Sequence, residues 1–221
     1  MVNGNGHSKL AQLLVRYRSD EKRLKRELFE HYPPAKLADL LSASDSLTRT
    51  SAGYSLGLIG TQSSVVDLLE ALKHQDSLTR LQAEKSIWSI WFRSNDPDHD
   101  QMIMAGAKHI EQQELDQALE VLTTLIEISP EFAEAYNQRA IVHFLQGEWE
   151  LSIQDCLQAV DLNPYHFGAY TGMGHCYWEL ERLKAAHVAY RKALIINPTL
   201  YVVAQAIRQI EAQLAERDDN P

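Results

Sequence analysis

Apolar side chains return every three or four residues along most of the chain. Leu10, Leu13, Leu14 and Tyr17 keep this spacing, as do Leu24, Leu28 and Phe29, and then Leu37, Leu40 and Leu41. Further along come Val65, Val66, Leu68, Leu69 and Leu72, and near the end Leu200, Ala204, Ile207, Ile210 and Leu214. That period puts one apolar stripe on each of a series of helices. Polar residues mark where helices begin. Ser8 can cap an element running from 8 to 31, which His31-Tyr32-Pro33-Pro34 closes. Asp45 and Asp76 are N-cap candidates, and Asp96 precedes Pro97 at a first helical position. The pattern predicts an all-α protein.

Two internal repeats with different periods organise these helices. Ser129-Pro130, Asn163-Pro164 and Asn197-Pro198 recur at a spacing of 34. Aligned on the prolines, Met102, Tyr136 and Tyr170 share a column, as do Gly106, Ala140 and Gly174, and Ala118, Ser152 and Ala186. Leu122, Cys156 and Tyr190 form another, and Leu125, Ala159 and Ala193 another. Small residues fit where two helix backbones approach, large ones fill the space between, and proline stops the second helix. Upstream, Asp45-Ser46-Leu47-Thr48-Arg49 returns as Asp76-Ser77-Leu78-Thr79-Arg80, a spacing of 31. The likeness continues as Ala52, Ser55, Leu56 and Ile59 against Ala83, Ser86, Ile87 and Ile90.

The 34-residue pattern resembles the tetratricopeptide repeat. It is strongest in Ala135-Tyr136-Asn137-Gln138-Arg139-Ala140 with Gly147-Glu148-Trp149, and in the run Ala169 to Tyr177; the first unit carries Met102, His109 and Leu125 in key slots. The 31-residue pattern resembles short HEAT repeats, whose turn aspartate and arginine are expected to bond along the stack. The joint arrangement, including the stretch 163–169, resembles an uncharacterised bacterial group joining the two repeat types. The resemblance implies a right-handed superhelical α-solenoid of antiparallel helix pairs: a basic helical N-terminal cap (1–33), HEAT-like repeats (34–95), three tetratricopeptide units (96–198), and a C-terminal capping helix and tail (199–221). The short joint Arg93-Ser94-Asn95-Asp96-Pro97 suggests one continuous solenoid.

Composition narrows the class further. The 221 residues hold only 10 Gly and 7 Pro, too few for a turn-rich sandwich or barrel. No apolar run reaches membrane-spanning length, and Met1 to Lys9 lacks the apolar stretch of a secretory signal. With Cys156 and Cys176 the only cysteines, a reducing, cytoplasmic setting is the expectation. The net charge of −9 divides into about +4 over 1–36, −3 over 37–98 and −10 over 99–221. General nucleic-acid binding is disfavoured by so acidic a chain.

Candidate chemistry is sparse. Asp96, Asp98, His99 and Asp100 mix metal-ligand residue types, but acids in a first helical turn answer to the helix dipole. No zinc spacing, phosphate loop or nucleophile motif is present. Cys156 falls in a packing column, His143 shares the slot of Tyr177, and Cys176 and His175 point about 100° apart on a helix. No enzyme, no metal and no cofactor are expected. Gly172 and Gly174 serve close helix packing on this reading, not phosphate binding.

The tetratricopeptide resemblance implies a concave face built by the first helix of each pair. That face carries Glu134, Asn137, Gln138, Ile141, Phe144 and Leu145 from the second unit. From the third come Thr171, His175, Trp178 and Glu179, and from the first Ile103, Ala107 and Ile110. Asn137 is the expected peptide-holding amide, and Phe144 and Trp178 the apolar anchors. Repeats that clamp acidic chaperone tails need Lys, Asn and Arg where this chain has Ile103, Ala107, Gln138, Gly168 and Gly172, so that role is rejected. The reading is a non-enzymatic protein–protein interaction scaffold for a neutral, apolar or basic peptide or helix, with no membrane partner. The alternative is an RNA-associated adaptor using the basic patch Arg16, Arg18, Lys22, Arg23, Lys25 and Arg26, in which Asp20, Glu21 and Glu27 are interspersed. A third reading is an accessory factor of a cofactor-attachment or other enzyme complex.

Overall fold

The computed structural model describes the backbone of residues 8–219 and the side chains of 8–216. The stretch read for a leader, the first residues of the cap and the last two of the tail thus fall largely outside the described residues. All regular structure among the described residues is helical, as the periodicity predicts, and the chain divides into two compact units, Met1–Trp91 and Phe92–Pro221.

The first unit holds α1 (Lys9–Arg16), α2 (Glu21–His31), α3 (Pro34–Leu40), α4 (Ser46–Ile59), α5 (Gln62–Ala71) and α6 (Ser77–Trp91). The single element expected over 8–31 is two helices. Ser8 caps α1 through Ala11 N–H (3.1 Å), and Asp20 starts α2 by accepting from Arg23 N–H at 3.0 Å. A new cap inside the apolar pattern ends one helix and redirects the next, which periodicity alone does not register. Beyond them, α3 pairs with α4 and α5 with α6, while α4 lies on α6 and α3 on α5. Leu37, Leu56, Leu68, Leu72 and Ile87 fill the interior.

One polar lattice joins the two pairs of this unit. Arg49, nearly buried, reaches from α4 to Asp76 (Nη2–Oδ2 2.8 Å) and Thr79 (Nε–Oγ1 2.9 Å) of the next pair. Its Nη1 also donates to the turn carbonyls of Ala43 and Ser44, at 2.7 and 2.9 Å. Arg80 repeats the second half of this arrangement, donating to His74 and Gln75 carbonyls at 2.8 Å each. Asp76 accepts in addition from Ser46 and Thr79, and these hydrogen bonds, with that of Arg49, hold its carboxyl far below the ordinary aspartate range. The aspartate–arginine bond along the stack is therefore present in the geometry.

The second unit is more regular. Its pairs are α7 (Pro97–Glu111) with α8 (Leu115–Ile128), α9 (Ala133–Leu145) with α10 (Trp149–Leu162), and α11 (Phe167–Glu179) with α12 (Leu183–Ile196). The final α13 (Tyr201–Asp219) packs on α12 through Val203, Ile207 and Ile210. Asp96 caps α7 through the N–H of Asp98 at 2.9 Å. Each first helix ends in a left-handed residue, Gln113, Gly147 or Glu181, again 34 apart, with φ of 60°, 77° and 55°. Within a pair, the small column meets the large one: a Cβ added at Gly106 would lie 2.7 Å from a Leu122 methyl, and one at Gly174 would penetrate the Tyr190 ring. Where the second helix offers the smaller Cys156, the first carries Ala140.

Candidate functional site

The first helices α7, α9 and α11 stand side by side, so residues on their shared free face form the candidate surface. Helix geometry places Ile141, Phe144 and Leu145 on one stripe of α9 and Thr171, His175 and Trp178 on one stripe of α11. Phe144, His175 and Trp178 converge on a depression of about 210 Å³, completed by Glu179, Tyr190 and two residues of α13, Ala206 and Gln209. Ile141 and Leu145, on the same stripe of α9 as Phe144, are 38% and 43% exposed. Thr171 lies along the stripe, but its hydroxyl is turned back to the Phe167 carbonyl at 2.8 Å.

His175 gives the depression its polar definition. The Tyr190 hydroxyl and His175 Nδ1 are hydrogen-bonded at 2.7 Å, and the two rings meet edge to face at 5.4 Å. Crowding by these neighbours removes water from one side of the imidazole and pushes its pKa below the ordinary histidine value, although the other edge stays exposed. The site is therefore an apolar dish with one neutral imidazole and one acid, Glu179.

Two expected peptide contacts are not on this surface. Asn137 is 4% and Gln138 7% exposed, and both amides donate to Glu134 Oε1, at 3.0 and 2.6 Å. Glu134 itself is 1% exposed, because His166 of the next repeat binds its Oε2 at 2.8 Å. Since the Ala169 N–H donates to His166 Nδ1 (3.1 Å), the Nε2 proton points at the carboxylate. A buried carboxylate demands donors, and the two amides supply them. The expectation that Asn137 and Gln138 hold a peptide is corrected: they satisfy a polar joint between repeats. Ile103 is likewise corrected, being fully buried in the core with Leu122 and Leu125.

Other candidates sort by burial. Cys156 and Cys176 are buried and unbridged, and loss of solvent pushes both thiols above the ordinary cysteine value, which denies them thiolate reactivity. His143 is held by Glu148 (2.7 Å) beside Asp155, while Arg139 grips Asp155 with two bonds of 2.8 Å. Among the described residues no group of three or more His, Cys, Asp or Glu could hold a metal ion, and no helix is long and apolar enough to cross a membrane. The basic patch is divided. Lys25 pairs with Glu21 at 2.7 Å, Arg23 lies 3.8 Å from Glu27 and stacks on Tyr17, and Arg18 occupies the turn between α1 and α2. Lys22 and Arg26 are exposed on α2. Tyr190, Ala206 and Gln209 escaped the sequence reading. Tyr190 stood in a packing column, and the two α13 positions belong to a helix read as a cap.

A family model described as TPR repeat matches residues 106–147, and one described as tetratricopeptide repeat matches 167–200. The chain is 26% identical over 125 residues to a TPR repeat-containing protein of Rhizobium etli, covering 57% of this chain and 61% of that one. It thus spans less than two thirds of that relative. A solved structure of the first TPR of Spaghetti bound to an HSP90 peptide superposes with a TM-score of 0.52 at 25% identity, over 53% of this chain and 93% of that one. The Sgt2 TPR domain from Aspergillus fumigatus gives 0.53 at 18%, over 56% and 83%, a likeness of fold.

Proposed function

We propose that the tetratricopeptide repeats carried by residues 106–147 and 167–200 make this chain a non-enzymatic interaction scaffold, capturing a peptide or helix of a partner protein on the face of α9, α11 and α13. The observation that carries this reading is the convergence of Phe144, His175 and Trp178 from successive repeats on one open apolar depression. Aromatic side chains held in a rigid dish make good anchors, because little entropy is lost when a partner side chain enters. The HSP90 peptide bound by the similar Spaghetti repeat supports peptide capture as the role of such repeats.

The partner segment is apolar with neutral or basic flanks. Glu179 is the one carboxylate lining the depression, and burial favours the uncharged form of its imidazole. The cations that an acidic tail needs are missing: Gly168 and Gly172 have no side chain to offer, and the nearby Arg139 is committed to Asp155. The same reading keeps residues 34–95 as HEAT-like repeats, supported by the Arg49–Asp76 bond between the pairs, and places the protein in the cytoplasm.

Cross-linking capture from native lysate tests the site when the wild type is compared with Phe144→Ala/Trp178→Ala. The expected result is a partner whose cross-links map to α9, α11 and α13, lost in the double variant at unchanged helicity. Equal capture by the double variant rejects the site.

A further inference from the structure

Residues 1–36 carry eight Lys/Arg against four Asp/Glu in a chain of net charge −9. Tertiary structure gathers part of that charge at one place in the first unit. Lys9 and Arg16 of α1, His31 of α2 and Lys36 of α3 line a single concavity of about 510 Å³, with the rings of Tyr17 and Tyr32 in its wall. Three helices contribute, so helix amphipathicity does not account for the grouping. The lining holds one acid, Glu27, which already faces Arg23 at 3.8 Å and His31 at 3.6 Å.

The cations are positioned, not merely solvated. Lys36 Nζ donates to the His31 carbonyl at 2.9 Å and stands 4.5 Å over the Tyr32 ring. The Arg16 guanidinium lies 5.3 Å over the Tyr17 ring. Such contacts restrict long side chains and keep like charges together in a concavity, where their fields reinforce one another. Converging cations of this kind are stabilised by an anion carrying more than one charge. Burial raises the pKa of Tyr32, so its hydroxyl stays protonated as a donor. The exposed cations Lys22 and Arg26 of α2 do not line the concavity.

We propose that this concavity is a binding site for a small phosphoryl compound, a phosphate monoester or diphosphate, held by Arg16 and Lys36 and closed over by Lys9. The site is separate from the peptide face and belongs to the other compact unit.

Titration calorimetry of the full chain at low salt, with pyrophosphate and adenosine monophosphate as probes, tests it. Saturable binding of at least one probe is expected, and loss of a charge-assisted contact in Arg16→Ala or Lys36→Ala weakens it roughly tenfold. Glu27→Gln tightens binding, Lys22→Ala/Arg26→Ala leaves it unchanged, and circular dichroism checks that each variant is folded. Absence of saturable binding by both probes overturns the proposal. So does equal weakening by the Lys22/Arg26 pair. A single-stranded RNA oligonucleotide that binds more tightly than either probe and depends on Lys22 and Arg26 also overturns it, in favour of a strand-binding helix face.

Discussion

Gly174 of α11 lies directly beneath the ring of Tyr190 of α12, leaving no room for a Cβ, and that same ring hydroxyl binds His175 at the candidate site. A packing contact inside the third repeat therefore sets the position of the imidazole at the candidate site. The neighbouring repeat solves the same spatial problem with Ala140 and Cys156. Gly174→Ala is expected to destabilise by about 1–3 kcal/mol through overpacking. Combined with Tyr190→Cys, its own cost should largely vanish, because the pair then copies the second repeat. A urea-melt double-mutant cycle measures the coupling, and strict additivity would contradict this account.

Glu134 and His166 form a wholly buried joint between repeats. His166→Ala removes a hydrogen bond to a buried carboxylate and should cost about 1.5–3 kcal/mol. Asn137→Ala removes a donor to the same carboxylate and should cost about 1–3 kcal/mol. Partner affinity, measured on the folded fraction, should fall far less with Asn137→Ala than with Trp178→Ala. The opposite order would restore Asn137 to the binding face.

Acid sensitivity is expected in the first unit. Asp76 binds a proton less readily when folded than in the unfolded chain, where aspartate titrates near about 3.9. Its contribution is complete above that value and declines as pH falls through it toward the lower folded pKa. Asp76→Asn should therefore be less stable than wild type at pH 7, with the gap closing below pH of about 4. Chemical denaturation at both pH values measures it, and a gap independent of pH would reject the role of the carboxylate.

His175 titrates below the ordinary histidine value of about 6.5 because neighbouring side chains exclude water from part of the ring. The Tyr190 ring, packed edge to face on the imidazole, is part of that shield. In Tyr190→Ala, which opens that side of the ring to water, the His175 pKa should rise toward the ordinary value, read by NMR of the imidazole protons. With its folded pKa depressed, wild-type His175 opposes folding as pH falls below about 6.5, since the unfolded chain then takes up the proton first.

The left-handed residues closing the first helices differ in type, not in geometry. Gln113 and Glu181 adopt a conformation that Gly147 accommodates without a Cβ clash. Glu181→Gly should stabilise by about 0.5–1 kcal/mol and Gly147→Ala should destabilise by a similar amount. Thermal melts of both variants check the sign; destabilisation by Glu181→Gly would mean that its side chain outweighs the backbone strain.

The repeats were legible because solenoid stacking forces the same packing problem on the chain every 34 or 31 residues. The columns Gly106–Ala140–Gly174 and Leu122–Cys156–Tyr190 could be read from spacing alone, and so could the caps at Ser8, Asp45 and Asp96. Phe144, His175 and Trp178 could be placed on adjacent helix faces by the same register. The fate of Asn137 and Gln138 could not. Helical spacing points them to the free face, and only the arrival of His166 from the following repeat draws Glu134 inward and both amides after it. Similarly, six cations clustered in sequence looked like one patch, yet Asp20 breaks the helix beneath them, and Arg16 is grouped instead with Lys9, His31 and Lys36. Local sequence sets helix, cap and period because those interactions span only a few residues. Which polar groups are buried together, and which charges face one another, depends on contacts between residues distant in the chain, and those the tertiary structure decided.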